Sequence, residues 1–325
     1  MKTYETSGTW KQINRFLPED IGITADVKPA ESEFPWRKSS IHLERFANPE
    51  SPVRLLLHHG VGTNGRLLSM IAGAALARRG FEVTAIDMPL YGMTENNERL
   101  VTYEDWIDIS LKFIDAEYQR DPRPIVLYGL SAGGMLTYHV AALEPRVRGI
   151  IGMCFLDLRD SEVDQIISKF PLPAISEAVG GFVLGLLSKT PLKRMYLPLR
   201  YLVKMSALTN PPEAQAILIK DKTSGGSSVP LAFLTSTMGY KAAVPPEKFT
   251  SCPVLLTQPD EDHWTPLTAS AKFFDKLACE KHLVMLKGAG HYPLEEEGLR
   301  QMHDAIDKFL KAVAETESQE DRQAV

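Results

Sequence analysis

The sequence predicts an α/β fold: a mostly parallel sheet flanked by helices, with a helical subdomain inserted at 157–250. Three observations predict it. Short, largely apolar strand-like runs at 53–57, 81–86, 124–128 and 147–155 alternate with helix-like stretches, the pattern of parallel strands buried on both faces. Several of these runs end in loops built from glycine, proline and potentially reactive side chains. After Asp157 the alternation stops for roughly ninety residues and resumes at 253–257, an interval too long for a plain loop in a compact domain.

Taken in order, residues 1 to about 30 carry little periodicity. Trp36 to Phe46 alternates roughly, with Ile41, Leu43 and Phe46 among polar residues, as expected of a half-exposed antiparallel strand. Asn48-Pro49-Glu50-Ser51-Pro52 is a turn, and Val53 to Leu57 is the first buried strand. A helix is expected from Leu67 through Ala77, closed by Gly80, then a strand from Phe81 to Ile86. Thr102-Tyr103-Glu104-Asp105 approximates a capping box for a helix reaching about Tyr118. A strand at 124–128, a helix from Met135 to Leu143 and a strand from Val147 to Phe155 complete the first part.

The insertion, 157–250, holds helix-like pieces near 161–169, 174–188, 192–206, 211–220 and 230–238, with a polar hinge at Thr223–Ser228. The core then resumes at 251–314: a strand at 253–257, a helix from about Pro266 to Ala278, a strand from His282 to Leu286, and a closing helix from about Glu295 to Ala314. Residues 1–156 form the first part of the core. Residues 315–325 are polar, lack aromatic side chains and read as a disordered tail.

Composition narrows the function. With 325 residues and a formal net charge of −5, the chain has no basic field for nucleic acid. No stretch reaches the roughly 18 apolar residues of a membrane span, and the first twenty residues contain no signal-peptide core. Three cysteines, Cys154, Cys252 and Cys279, show no metal spacing and indicate a reducing, cytoplasmic setting. No cofactor and no metal are expected.

The chemistry centres on Gly129-Leu130-Ser131-Ala132-Gly133-Gly134, a glycine-flanked serine between a strand and a helix. On a sharp strand-to-helix turn a serine hydroxyl stands clear of the backbone above a helix N-terminus. Ser131 needs a base. Of eight histidines, His291 alone sits in a loop directly after the last strand, in Gly288-Ala289-Gly290-His291-Tyr292-Pro293. The base needs an acid to hold its tautomer. The loop Gln258–Pro266 offers three carboxylates. Asp262, nearest its centre, is the choice; Asp260 is the alternative within the loop, and Asp157 another route to the same place. Oxyanion donors are expected from the backbone N–H groups of Ala132 and, in His59-Gly60-Val61-Gly62, of Val61. His58 and His59 brace that loop rather than chelate a metal, since adjacent strand residues point to opposite faces. Asp87 reads as a structural turn residue.

The succession His-Gly-Val-Gly, Asp-Met-Pro-Leu-Tyr-Gly, Gly-Leu-Ser-Ala-Gly-Gly, an acidic loop and Gly-Ala-Gly-His resembles the α/β-hydrolase superfamily from about Ile41 to Leu310. The run His59–Arg66 is similar to the monoglyceride-lipase and lysophospholipase branch. The resemblance implies a triad in the chain order serine, acid, histidine, matching Ser131, Asp262 and His291, and a cap after the sixth strand. Leu90-Tyr91-Gly92 departs from the glycine-histidine-glycine stretch common after the fourth strand. A serine at the elbow argues against the branches that use aspartate there.

The insertion is rich in Leu, Met and aromatic residues, among them Phe170, Leu172, Phe182, Leu184, Leu187, Leu199 and Met205, so a small-molecule ester with an apolar acyl or aryl group is expected. Lys193, Arg194, Arg200 and Lys204 could mark a membrane-surface helix, but Pro198 interrupts it and a solvated cap face is favoured. Thioesterase, lactonase and aminopeptidase chemistry remain open on the same fold; an aminopeptidase would need a cap carboxylate such as Glu162, Asp164 or Glu177. A small-molecule receptor on this scaffold is the alternative from another class.

Overall fold

The computed structural model of the chain describes residues 1–167, 190–202 and 204–323. Ten strands are present among them: β1 (Ala30–Trp36), β2 (Ser39–Phe46), β3 (Arg54–His58), β4 (Glu82–Ile86), β5 (Ile125–Leu130), β6 (Val147–Met153), β7 (Tyr196–Pro198), β8 (Ser228–Pro230), β9 (Val254–Pro259) and β10 (Lys281–Leu286). Eight of them form one sheet in the order β1-β2-β4-β3-β5-β6-β9-β10. The β1–β2 and β2–β4 pairs are antiparallel and every other pair is parallel. The fold is therefore the expected α/β-hydrolase sheet. Residues of β3, β4, β5 and β9 are buried throughout, which is why β3, β5 and β9 read as largely apolar stretches; β4 also buries Glu82 and Thr84.

Strand order reverses beside β3: the chain passes from β3 to β4 on one side, then crosses back to β5 on the other. In a doubly wound sheet the crevice at such a switch point, outside the carboxyl ends of the strands, is where a ligand can reach several loops. Here the loop after β3 carries Gly60 and Val61, and the turn after β5 carries Ser131.

Several elements differ from expectation. The early strand is a hairpin, β1 and β2, whose turn holds Arg37 at φ 50°. The helix expected at 67–77 is two α-helical pieces, Gly65–Leu68 and Ala74–Arg78, joined by a π-helical turn at Ser69–Gly73. A helix spans Gly8–Asn14, burying Trp10 and Ile13, where no periodic signal was read. Between β6 and β9, the piece expected at 192–206 is instead a 3₁₀ turn (Pro191–Arg194), β7, a short helix (Leu199–Leu202) and another 3₁₀ turn (Met205–Ala207). Pro198 cannot continue a helix, and β7 pairs antiparallel with β8. Helices at Ser161–Ile167, Pro212–Leu218 and Leu231–Gly239 are present. The helix expected at 174–188, with Phe170, Leu172, Phe182, Leu184 and Leu187, lies outside the described residues.

The disordered tail expected at 315–325 is corrected for residues 315–323; 324–325 lie outside the described residues. The closing helix runs from Glu296 to Gln323. Its last turns continue on helix-favouring Ala, Glu and Gln without needing a buried face, and the Arg148 guanidinium meets Glu317 at 3.1 Å. Among the described residues no helix is long and apolar enough to cross a membrane.

The buried imidazoles make stability depend on pH. Burial pushes His58 and His139 down to about 3 and His303 down to about 4. Burial instead pushes the Glu44 carboxyl up to about 7. Burial also works against charge on His42, yet hydrogen bonds to Asp87 and Glu31 outweigh it and lift that ring to about 9. Between pH 6.5 and 4.5 the unfolded chain takes up imidazole protons that His58, His139 and His303 refuse in the folded state, burial lowers His59 in the same direction, and Glu44 offsets one. At least two uncompensated protons remain, which corresponds to roughly 3 kcal/mol or more of stability lost per pH unit as pH falls. Above pH 6.5 the His42 contribution is lost progressively as pH rises through about 9. The urea midpoint is therefore expected to peak near neutrality and drop steeply by pH 5. A midpoint that holds level from pH 7 to 5 would contradict this accounting.

Candidate active site

The turn after β5 forces its serine into an unusual conformation. Ser131 has φ 58° and ψ −121°, a region that L-residues hold only where their surroundings impose it, at a cost of about 1–3 kcal/mol. The flanking glycines show what imposes it. A methyl group on Gly129 would lie 2.0 Å from the Gly133 carbonyl oxygen, and one on Gly133 would lie 2.2 Å from that of His58. Strand, turn and following helix thus pass closer than any side chain permits. Ser131 N–H donates to Met153 O at 2.7 Å, tying the turn to β6. The helix Ala132–Ala141 starts immediately afterwards, so the Ala132 N–H belongs to the first-turn donors that no intrahelical carbonyl can satisfy.

The loop after β3 packs against this turn. A methyl group on Gly60 would sit 2.6 Å from Leu130 O, 3.0 Å from Ser131 Cβ and 3.2 Å from the Ala132 nitrogen. Val61 is the next residue. His59 holds the loop: its Nε2 accepts from Met88 N–H at 2.9 Å, which leaves the ring proton on Nδ1 to donate to Gly60 O at 2.8 Å. His58 bonds through Nε2 to the Ser110 hydroxyl at 3.1 Å. Both rings therefore serve as braces. Asp87 does likewise, accepting from Gly65 N–H, Met93 N–H and the Tyr4 hydroxyl.

Asp262 and His291 meet although 29 residues separate them. His291 Nδ1 lies 2.8 Å from Asp262 Oδ2, and both side chains are fully buried. A carboxylate can only accept, so the ring proton is on Nδ1. His291 Nε2 then presents a lone pair, buried and without a hydrogen-bond partner among the described residues. The Trp264 ring packs at 4.6 Å from the imidazole. Burial alone would raise the Asp262 carboxyl, but the facing His291 ring and the hydrogen bonds from His291 and Thr265 outweigh it and hold that carboxyl well below the usual carboxylate range. The Tyr292 hydroxyl reaches Val61 O at 3.5 Å, which joins the histidine loop to the loop after β3.

Of the other carboxylates weighed, Asp260 is exposed and Asp157 forms a two-pronged pair with Arg159 at 2.8 and 2.6 Å. Neither faces His291. His139 bonds to the Tyr103 hydroxyl at 2.9 Å and takes no part. Two side chains that sequence reasoning passed over hydrogen-bond to Asp262: Thr265, three positions after it, and Cys154, just past β6. A threonine at that spacing before Pro266 is the one available signal, since a side chain can reach back three residues. Cys154 offered none.

Residues between β6 and β9 come down onto this region. A methyl group on Gly62 would lie 2.9 Å from Met205 Cε and 3.6 Å from Leu199 Cδ1. Tyr292 N–H donates to Leu208 O at 2.7 Å, and the Thr209 hydroxyl to Tyr292 O at 2.9 Å.

The model of a family described as the alpha/beta hydrolase family matches residues 55–305. The thermostable monoacylglycerol lipase of Bacillus sp. (strain H-257) is 26% identical over 249 residues, 76% of this chain and 86% of that protein. Protein phosphatase methylesterase 1 of Rattus norvegicus is 32% identical over 111 residues, 34% of this chain; the match spans only 28% of that relative's length. Among solved structures, a soluble variant of monoglyceride lipase from Saccharomyces cerevisiae in complex with a substrate analog superposes with a TM-score of 0.70 at 16% identity, over 91% of this chain and 98% of that one. That likeness shows the fold. The match to the family and to its monoglyceride-lipase-like branch agrees with the motifs read from the sequence.

Proposed function

Because this chain belongs to the alpha/beta hydrolase family, we propose that it is a serine hydrolase cleaving a carboxylic ester through Ser131, His291 and Asp262. The observation that carries this reading is the His291 ring, protonated on Nδ1 toward Asp262, with a buried Nε2 that has no partner among the described residues. A buried acceptor left unsatisfied costs about 1–3 kcal/mol. A hydroxyl from the elbow at the same rim of the sheet would satisfy it. In this reading Nε2 takes the Ser131 proton as Oγ bonds to the acyl carbon. The Val61 and Ala132 N–H groups hold the oxyanion. His291 returns the proton to the leaving alkoxide as the ester C–O bond breaks, and water then releases the acid from the acyl-enzyme.

The acyl group is apolar in this proposal. Leu199 and Met205 stand over the loop that carries Val61, and Trp264 lines the imidazole. Residues 157–250 would act as the cap that brings these side chains over the serine. The monoacylglycerol lipase and methylesterase relatives lend support at the level of ester hydrolysis. A panel of 4-nitrophenyl esters from acetate to laurate tests the reading. kcat/KM is expected to rise with each added methylene until the pocket is filled, each buried CH₂ contributing about 0.8 kcal/mol. A flat or falling series would contradict an apolar acyl pocket, and no turnover of any member would contradict esterase activity.

A further inference from the structure

We propose that Thr265 is a positioning residue for the Asp262–His291 pair, its hydroxyl clamping the carboxylate oxygen that faces the imidazole, with the Cys154 thiol completing the clamp. The inference rests on the hydrolase reading above. Asp262 is anchored through Oδ1 by two backbone donors, Trp264 N–H at 2.9 Å and Thr265 N–H at 2.7 Å. Those bonds fix one oxygen and leave Oδ2 to be placed by others. Thr265 Oγ1 lies 2.6 Å from Oδ2, 3.0 Å from His291 Nδ1 and 3.1 Å from Cys154 Sγ. A hydroxyl has one proton, and the carboxylate is the strongest acceptor at the shortest of these distances. The O–H therefore donates to Oδ2 and a lone pair faces the imidazole N–H, while the single thiol proton of Cys154 is directed at Oδ2 as well.

Cys154 approaches from a different strand. Its thiol is 3.5 Å from Asp262 Oδ2 and its side chain is fully buried. The residue has φ 71°, a left-handed conformation that a non-glycine residue keeps only when its neighbours fix it. A methyl group on Gly134, in the helix after Ser131, would lie 2.2 Å from the Cys154 carbonyl oxygen. One strained residue thus abuts the serine helix through its backbone and the acid through its thiol. Among the described residues the other titratable groups facing the pair are the Cys154 thiol and the Tyr292 hydroxyl, and burial pushes both well up, so each stays neutral.

The clamp has a directional consequence. Each donor on Oδ2 draws off part of the carboxylate's charge. Removing one leaves more of that charge to stabilise an imidazolium, so the acid limb of the kcat/KM profile moves to higher pH. The ring is also less firmly aimed, so kcat falls.

The test uses the full chain and a 4-nitrophenyl ester. Thr265→Val keeps the branching of the side chain and replaces the hydroxyl with a methyl group, which can neither donate nor accept. It is expected to lower kcat about tenfold with KM within about twofold, and to raise the midpoint of the acid limb by about half a pH unit. Thr265→Ser is expected to restore both. Cys154→Ala is expected to move the limb the same way by less, and it carries the test if the valine variant does not fold. A valine variant with wild-type kcat and an unmoved limb would overturn the proposal. So would a loss of kcat with an unmoved limb that serine fails to rescue, which marks a purely structural role. A wild-type protein that turns over no ester would overturn the hydrolase reading itself, and this proposal with it.

Discussion

Replacing Ser131 with alanine is expected to abolish ester turnover, lowering kcat by about six orders of magnitude, while leaving the fold intact. The size follows from what the hydroxyl supplies. Without it no acyl-enzyme forms, and only binding and the backbone donors at Val61 and Ala132 remain to help water attack directly. The fold should survive because alanine keeps Cβ. The left-handed conformation at 131 is imposed by the packing of Gly129 against Gly133 and of Gly133 against His58, none of which involves Oγ. Initial rates and a melting curve on the same preparation check both halves. Residual activity above about one per cent, with an unchanged melting temperature, would mean that another group attacks the ester.

The second large effect is expected from Asp262→Asn, a loss of about 10⁴ in kcat. Asp262 accepts from the Trp264 and Thr265 backbone through Oδ1, and from His291 and the Thr265 hydroxyl through Oδ2. Asparagine has one carbonyl oxygen, which the backbone donors claim. Its NH₂ group then faces the imidazole. Two donors cannot share a hydrogen bond, so the ring proton shifts to Nε2 and the lone pair that would take the serine proton is gone. Asp260→Asn and Asp157→Asn are expected to stay within about twofold of wild type. The first residue is exposed and the second is engaged by Arg159. If one of these lost activity while Asp262→Asn kept it, the acid would be misassigned.

Much of this was legible in the sequence because the governing signals are local. β3, β5 and β9 are buried on both faces, and full burial writes itself as a largely apolar stretch. The serine turn is legible because its sterics exclude any side chain at two nearby positions. His291 stands out because glycine and proline shape the loop around it. Where the reading failed, the cause lay outside the local window. β7 is three residues long and exists through its pairing with β8, some thirty residues on. β1 carries Pro35 and is followed by a left-handed Arg37, so its alternation does not show. The last turns of the closing helix bury little, and hydrophobic periodicity is silent about a solvated helix. Thr265 and Cys154 became visible only when β6 and β9 were placed side by side, since their shared partner is the Asp262 carboxylate.

The same distinction explains which parts of the site rest on geometry alone. The Asp262–His291 bond joins loops after β9 and β10, which neighbour one another in the sheet. The serine turn belongs to β5, farther along. What connects them is the packing of Gly60 against Ser131 and Ala132, and the reach of Tyr292 to Val61 O.

Covalent capture by a fluorophosphonate measures whether the hydroxyl at 131 is activated by the buried imidazole. The intact protein is expected to gain one phosphonyl adduct, lost in Ser131→Ala, with the adduct mapping to the peptide that contains Ser131. A spectrum without an adduct, or with the adduct on another residue, would contradict the account.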